Sequence, residues 1–282
     1  MMQKTILITG CSSGIGFDAA VSLKNRGHRV IASCRRIADV ERLQQLGVET
    51  IQLDVNDEDS ITKGFQLVLE KTRGHLDVLI NNAGYGQAGA LEDVPRSALI
   101  AQFNTNVFGL MELTRQAIPV MRTQGYGRII NISSVLGFIS MPFRGAYNAS
   151  KYAVEGLCDT LRLELKPAGI HVITIEPGPI DSRFRDHVVD DSIKCLDLER
   201  SYFKQQYKRM QTNFKAKKAN SPFTKKPQAV VNKLIHAIES KSPKPKYLVT
   251  TPTYLFMVLK RILSVRLLDR WIAFISRQEL GS

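Results

Sequence analysis

Residues 5–9, Thr5-Ile6-Leu7-Ile8-Thr9, form a short apolar run that stops at a glycine. A run without polar alternation suits a strand buried on both faces, as in a parallel sheet. Gly10-Cys11-Ser12-Ser13-Gly14-Ile15-Gly16 follows, and then Ala19, Ala20, Val21 and Leu23 recur at helical spacing. Strand, glycine-rich turn and helix make the first half of a dinucleotide-binding unit. The glycines let backbone approach a pyrophosphate, and the helix N-terminus offers free N–H groups at the positive end of its dipole. The spacing is Gly-x-x-x-Gly-x-Gly rather than the commoner Gly-x-Gly-x-x-Gly. An ordinary βα turn can also be rich in glycine, so the rest of the chain has to decide.

The alternation continues. Residues 29–34, 50–55, 76–80, 127–134, 171–176 and 246–250 read as further strands, with helical periodicity between them. This predicts an α/β fold, a doubly wound, mostly parallel sheet with helices on both faces. A chain of 282 residues suits one large domain, and neither a repeat nor a linker marks off a second. We expect a domain over 1–250 with a polar, basic loop at about 183–226, and a helical extension over 251–282 packed on it.

The second strand ends in Cys34-Arg35-Arg36. In an NAD-binding unit an acid near this point would hold the ribose 2′-hydroxyl. Two guanidiniums with the hydroxyls of Ser12 and Ser13 could surround a 2′-phosphate instead, which favours NADP(H) over NAD(H). Asp54 ends the third strand. It could accept from an adenine amino group or cap a helix starting near Asp57. Asn82, Ala83 and Gly84 follow the fourth strand, where small and amide residues fit a ligand crevice.

Tyr147 and Lys151 stand four apart on a predicted helix and so share a face. A free phenol with a pKa near ~10 is a sluggish acid or base at neutral pH. A nearby ammonium would stabilise the phenolate and bring the tyrosine toward acid–base work. A helix through Phe103, Val107, Leu110 and Leu113 carries Asn106. Asparagine is unfavourable inside a helix, so Asn106 needs a structural bond or a chemical role.

Taken in order, residues 9–16, Asn81-Asn82-Ala83-Gly84, Asn106 within Asn-Val-Phe-Gly, Ser134, Tyr147-x-x-x-Lys151 and Pro177-Gly178 resemble the short-chain dehydrogenase/reductase family. The likeness is tight over about 3–182 and holds in outline beyond. It implies a Rossmann-like fold that binds a nicotinamide cofactor. It also implies that Ser134 polarises a substrate oxygen, Tyr147 exchanges a proton with it, Lys151 lowers the tyrosine pKa and binds the nicotinamide ribose, and Asn106 holds a water in the proton relay. The cofactor would lie along Gly10, Ser12, Ser13, Gly14, Ile15, Gly16, Arg35, Arg36, Asp54, Val55, Asn82, Ala83, Gly84, Pro177, Gly178 and Ile180, besides Tyr147 and Lys151. The resemblance further implies a homodimer or homotetramer. Within the family the chain is similar to hydroxysteroid, retinol and lipid-aldehyde enzymes, so the expected substrate is a fairly apolar alcohol or carbonyl compound. A catalytically silent cofactor-binding sensor or scaffold is the alternative, against which all four catalytic positions are filled.

Cys11, Cys34, Cys158 and Cys195 have no metal-ligand spacing, and no metal site is expected. With no signal peptide or spanning run in view, we expect a reduced, cytoplasmic protein. The net charge is +13, concentrated around Lys204, Lys208, Arg209, Lys215, Lys217, Lys218, Lys225 and Lys226. Tyr202, Phe203, Tyr207 and Phe214 interleave with these charges. That pattern suits single-stranded nucleic acid, but a solvated loop explains it more simply. From Thr253 onward Leu, Phe, Ile and Trp271 are too dense for a free tail. Packing on the domain is expected, as a lid or an interface, with peripheral membrane contact as the other sink.

Overall fold

The computed structural model describes residues 2–181, 192–216 and 223–280. The strands are β1 (Thr5–Ile8), β2 (Arg29–Cys34), β3 (Glu49–Gln52), β4 (Val78–Asn81), β5 (Gly127–Ile132), β6 (Ile170–Glu176) and β7 (Lys246–Leu248). They form one sheet in the order β3-β2-β1-β4-β5-β6-β7, every pair parallel. This is the doubly wound Rossmann arrangement. The order reverses between β1 and β4, which opens a crevice beyond their carboxyl ends.

The helices are α1 (Gly14–Asn25), α2 (Ile37–Gln45), α3 (Glu58–Thr72), α4 (Arg96–Phe103), α5 (Gly109–Gln124), α6 (Gly145–Leu165), α7 (Lys204–Ala216), α8 (Gln228–Glu239), α9 (Thr251–Ile262) and α10 (Val265–Leu280). Strand side chains alternate between faces. Ile6 and Ile8 join the core under α1 and α8, with Leu23, Val230 and Leu234. Leu7 joins the other core, with Phe65 of α3, Leu113 of α5 and Val154 of α6. A strand flanked by cores on both sides has no polar face to show, which is why β1 reads as unbroken apolar sequence.

Several local expectations need correcting. β1 stops at Ile8, and the Thr9 hydroxyl accepts from the main-chain N–H groups of Asn82 and Ala83, each at 3.0 Å. β3 stops at Gln52. Asp57 caps α3 through the Ser60 N–H at 3.1 Å, while Asp54 Oδ1 accepts from the main chain of Asn56 at 3.0 Å. Asp54 is therefore not the helix cap. The helix around Asn106 is not continuous: a π turn, Asn104–Phe108, separates α4 from α5. Part of the expected basic loop is α7, and Tyr207 there is buried among Ala90, Phe143, Ile193 and Met210. Residues 183–191 and 217–222 of that loop lie outside the described residues. Among the described residues no helix is long and apolar enough to cross a membrane.

Candidate active site

The β1–α1 turn is built by close approach. Gly10 has φ +70°, and a Cβ there would sit 2.7 Å from Ala83 Cα. A Cβ on Gly16 would sit 2.5 Å from the Gly10 carbonyl oxygen. Asn82 Nδ2 donates to the carbonyls of Thr9 and Gly10 at 2.9 and 3.0 Å, so its amide holds the turn's shape. Ser13 precedes α1 without a side-chain cap, and the first turn carries no acid. The leading N–H groups of α1 are thus left without a cap from Ser13, as a pyrophosphate site requires.

At the end of β2 the two expected arginines differ. Arg36 Nε donates to Asp39 Oδ2 at 2.8 Å. Arg35 is exposed, and its side chain has no partner among the described residues. A third arginine, not picked out in the sequence, completes the group. Arg42 of α2 lies 3.2 Å from Asp39 Oδ1, donates to the Ser12 carbonyl, and stacks 5.7 Å from the Phe17 ring. Its Nε is buried without a hydrogen-bond partner. Asp39 thus holds Arg36 and Arg42 beside the Ser12 turn. An acid and its two arginines leave a net positive charge, and Arg35 adds to it.

The carboxyl end of β5 and the first two turns of α6 bring the candidate side chains together. Ser134 follows β5; its Oγ accepts from Leu136 N–H at 3.1 Å and shares a hydrogen bond with the Tyr147 side chain. Ser133 points elsewhere. Its Oγ is buried without a partner and lies against Gly137, where an added Cβ would meet it at 2.8 Å. Burial pushes the Tyr147 phenol up to about 12, while the Ser134 hydrogen bond and the Arg144 charge pull it down. Lys151 is buried, its Nζ 5.7 Å from the Tyr147 ring centroid. Burial lowers its pKa to about 8, and the Glu155 charge opposes that fall. The groups that pull the phenol down are thus Ser134 and Arg144 rather than the expected Lys151, and burial outweighs them.

Asn106 is buried in the π turn, and its side chain is fully engaged. Oδ1 accepts from Tyr85 N–H at 3.1 Å; Nδ2 donates to Tyr85 O at 2.9 Å and to Ser150 Oγ at 3.1 Å. It ties the β4 loop to α6. A Cβ on Gly84 would come within 3.0 Å of Asn106 Oδ1 and 3.9 Å of Lys151 Nζ, so glycine keeps this corner open for a ligand. On the other side Pro177 O accepts from Val135 N–H at 2.8 Å, and Gly178 packs against the hydroxyls of Thr250 and Thr253. Ile180 is buried, whereas Val55 lies in the core with its carbonyl against Gly109.

Behind Lys151 lies an acidic network that the sequence reading missed. Glu155, one turn further along α6, and Glu176, at the end of β6, are both buried. Lys246 Nζ reaches Glu155 at 2.6 Å and Glu176 at 3.8 Å. Burial, with the Glu155 charge, raises the Glu176 pKa to about 7. The four-residue spacing from Lys151 to Glu155 was the available signal.

Val135, Phe138, Ile139 and Met141, which follow Ser134, pack against Phe256 of α9 and Trp271 and Ile272 of α10. The extension therefore forms an apolar wall next to the serine. A separate cavity of about 750 Å³, lined by Leu91, Pro142, Phe143, Asn148, Tyr152 and Phe203 among others, opens on the neighbouring side of α6 and does not include Ser134, Tyr147 or Lys151.

The model of the short chain dehydrogenase family matches residues 4–192. The chain is 42% identical to the uncharacterized oxidoreductase YbbO of Escherichia coli (strain K12) over 270 residues, covering 96% of this chain and 94% of that one. It is 36% identical to 17-beta-hydroxysteroid dehydrogenase type 1 of Homo sapiens over 209 residues, 70% of this chain and 63% of the other. A short-chain dehydrogenase structure from Streptomyces avermitilis superposes with a TM-score of 0.76 at 27% identity, covering 98% of this chain and 99% of that one.

Proposed function

The chain belongs to the short-chain dehydrogenase/reductase family of oxidoreductases, and we propose that it is an NADP(H)-dependent enzyme acting on a fairly apolar alcohol or carbonyl compound of steroid, retinoid or aldehyde type. The observation that carries this reading is the meeting of the Ser134 and Tyr147 hydroxyls at the open end of the crevice, with Lys151 buried behind them.

The uncapped α1 N-terminus would hold the pyrophosphate, and Arg35 with Arg42 and Ser12 would surround a 2′-phosphate. The bound nicotinamide supplies or accepts the hydride. Ser134 and Tyr147 offer two fixed donors to the substrate oxygen, where charge develops during reduction. At neutral pH the phenol is protonated, which is the form reduction needs. Tyr147 then releases its proton to that oxygen. Lys151 balances the phenolate left behind. The Asn106 amide is already engaged with Tyr85 and Ser150, so a relay water would be held by the main chain of the π turn. The apolar wall of Ile139, Met141 and Trp271 suits a hydrocarbon body on the substrate. The nucleic-acid reading loses one of its stacking rings, because Tyr207 is in the core, although Tyr202 stays exposed.

NADPH consumption against a panel of ketones, aldehydes, retinoids and steroids tests the proposal. Turnover on at least one apolar carbonyl compound is expected. Binding of NADPH with no turnover anywhere in the panel would instead support a cofactor-binding sensor.

A further inference from the structure

We propose that the outer face of α9 and α10 is a docking surface for an anionic phospholipid bilayer. The two helices break at Ser264, so projecting 251–282 around one axis mixes two faces. Taken separately, each has an inner and an outer side. Phe256 and Ile272 turn inward and are buried. Leu255, Val258 and Ile262 share the outer side of α9 at helical spacing, with exposures of 47%, 54% and 69%. Across the break Val265 is 75% exposed on one flank of α10, and Leu267 and Phe274, two turns apart on its other flank, are 49% and 62% exposed. Single exposed apolar side chains are ordinary; a run of them along one element marks an interaction site.

Charge selects the occupant. Between residues 251 and 277 the chain carries Lys260, Arg261, Arg266, Arg270 and Arg277 against Asp269 alone. Lys260 is engaged with the Phe138 carbonyl and the Tyr152 ring. Arg261, Arg266 and Arg270 have no ion-pair partner among the described residues, whereas Arg36, Arg115 and Lys204 elsewhere in the chain are each paired with a carboxylate. Arg261 adjoins Ile262 at the edge of the α9 stripe, and Arg266 and Arg270, four apart, share the exposed side of α10 between Val265 and Leu267. Their stems can lie along these apolar side chains while their heads reach phosphate. A second copy is a poor occupant. A two-fold contact through this face would set the same basic surface against itself, with only Asp269 and Glu279 as acids on the two helices.

The consequence is positional. The inner sides of the same helices wall the region beside Ser134. Docking would place that wall at the bilayer surface, where apolar compounds concentrate. The inference rests on the outer face and does not depend on the reaction proposed above.

The test is co-sedimentation of the full chain with vesicles of phosphatidylcholine alone or mixed with phosphatidylglycerol. Binding to the anionic vesicles should exceed binding to the neutral ones by at least ~10-fold and weaken as salt rises. Val258→Asp with Ile262→Asp, and separately Arg261→Glu with Arg266→Glu, should each lower it by ~10-fold or more. NADPH affinity and thermal melting should not change, because neither pair touches the core. Equal binding to both vesicle types, or binding untouched by the aspartates, overturns the proposal. So does a wild-type chain that ignores vesicles while the aspartate pair reduces its oligomeric mass in sedimentation velocity, since the face would then join copies.

Discussion

Lys151 Nζ donates to the main-chain oxygen of Ile132 at 2.7 Å. This bond fixes the lysine to the end of β5, the strand that also delivers Ser134. The position of the ammonium is therefore set by the end of β5 together with α6, the helix that also carries Tyr147.

Removing the phenolic oxygen should abolish turnover without loosening the site. Tyr147→Phe should lower kcat by ~10²–10⁴-fold, the range for a positioned general acid, while NADPH affinity stays near wild type. Lys151→Met should lose turnover and also weaken NADPH binding. Near-normal turnover in Tyr147→Phe on a good substrate would remove Tyr147 from the mechanism; calorimetry with stopped-flow kinetics reads both quantities.

The lowered pKa of Lys151 predicts the alkaline limb of the pH profile. The free enzyme needs the ammonium, so kcat/KM for reduction should fall as pH rises through about 8. Glu155 opposes the lowering through its charge. Glu155→Gln should therefore move the limb to lower pH, whereas a merely structural glutamate would change the height of the profile and leave the limb in place. An unmoved limb would separate Glu155 from Lys151.

Cofactor choice should divide the arginines. Charge-assisted bonds to a 2′-phosphate contribute roughly 1.5–3 kcal/mol each, so NADP(H) should bind at least ~10-fold more tightly than NAD(H). Arg35→Asp should narrow or invert that ratio. Arg36→Ala should matter less: both Arg36 and Arg42 pair with Asp39, but Arg42 also reaches the Ser12 carbonyl of the turn. Arg42→Gln should cut the preference while leaving NAD(H) affinity almost unchanged. Equal affinities of the wild type for the two cofactors in titration calorimetry would remove the premise.

The fold was legible because buried strands have a simple signature. β1, β2, β5 and β6 are apolar at successive positions, since cores press on both of their faces. Their ends were less legible: Thr9, Asp54 and Ser134 look like strand residues but serve turns and the site through their side chains. Motif order singled out Ser134, Tyr147 and Lys151 as candidates. What motifs could not show was how side chains compete. Arg35 and Arg36 look equivalent in sequence, yet Asp39 claims one of them. The π turn at Asn106 depends on contacts with Tyr85 and Ser150, residues distant in sequence. Tyr207 looked like part of a basic loop and is a core residue, because Ala90 N–H and Asp93 both bond its hydroxyl at 2.8 Å.

Glu176 should make stability fall with pH. Its carboxyl is fully buried, and its pKa is raised from 4.5 to about 7 by burial and by the Glu155 charge. Between those two values the folded chain keeps a proton that the unfolded chain has released. More protons bound in the folded state means that unfolding becomes easier as pH rises through the window, and the loss is complete above about 7. A shift of this size corresponds to an order of magnitude of 3 kcal/mol, about 1.4 kcal/mol per pKa unit. Glu176→Gln removes the titration and keeps the shape. Its melting temperature should therefore lie near wild type at about pH 4.5 and above it at about pH 8. The variant should gain most where Glu176 is ionised, because Glu155 and Glu176 each carry a buried oxygen without a partner. Melting curves that shift in parallel across the window would show that Lys246 neutralises the pair, and that Glu176 is held as an ion at neutral pH.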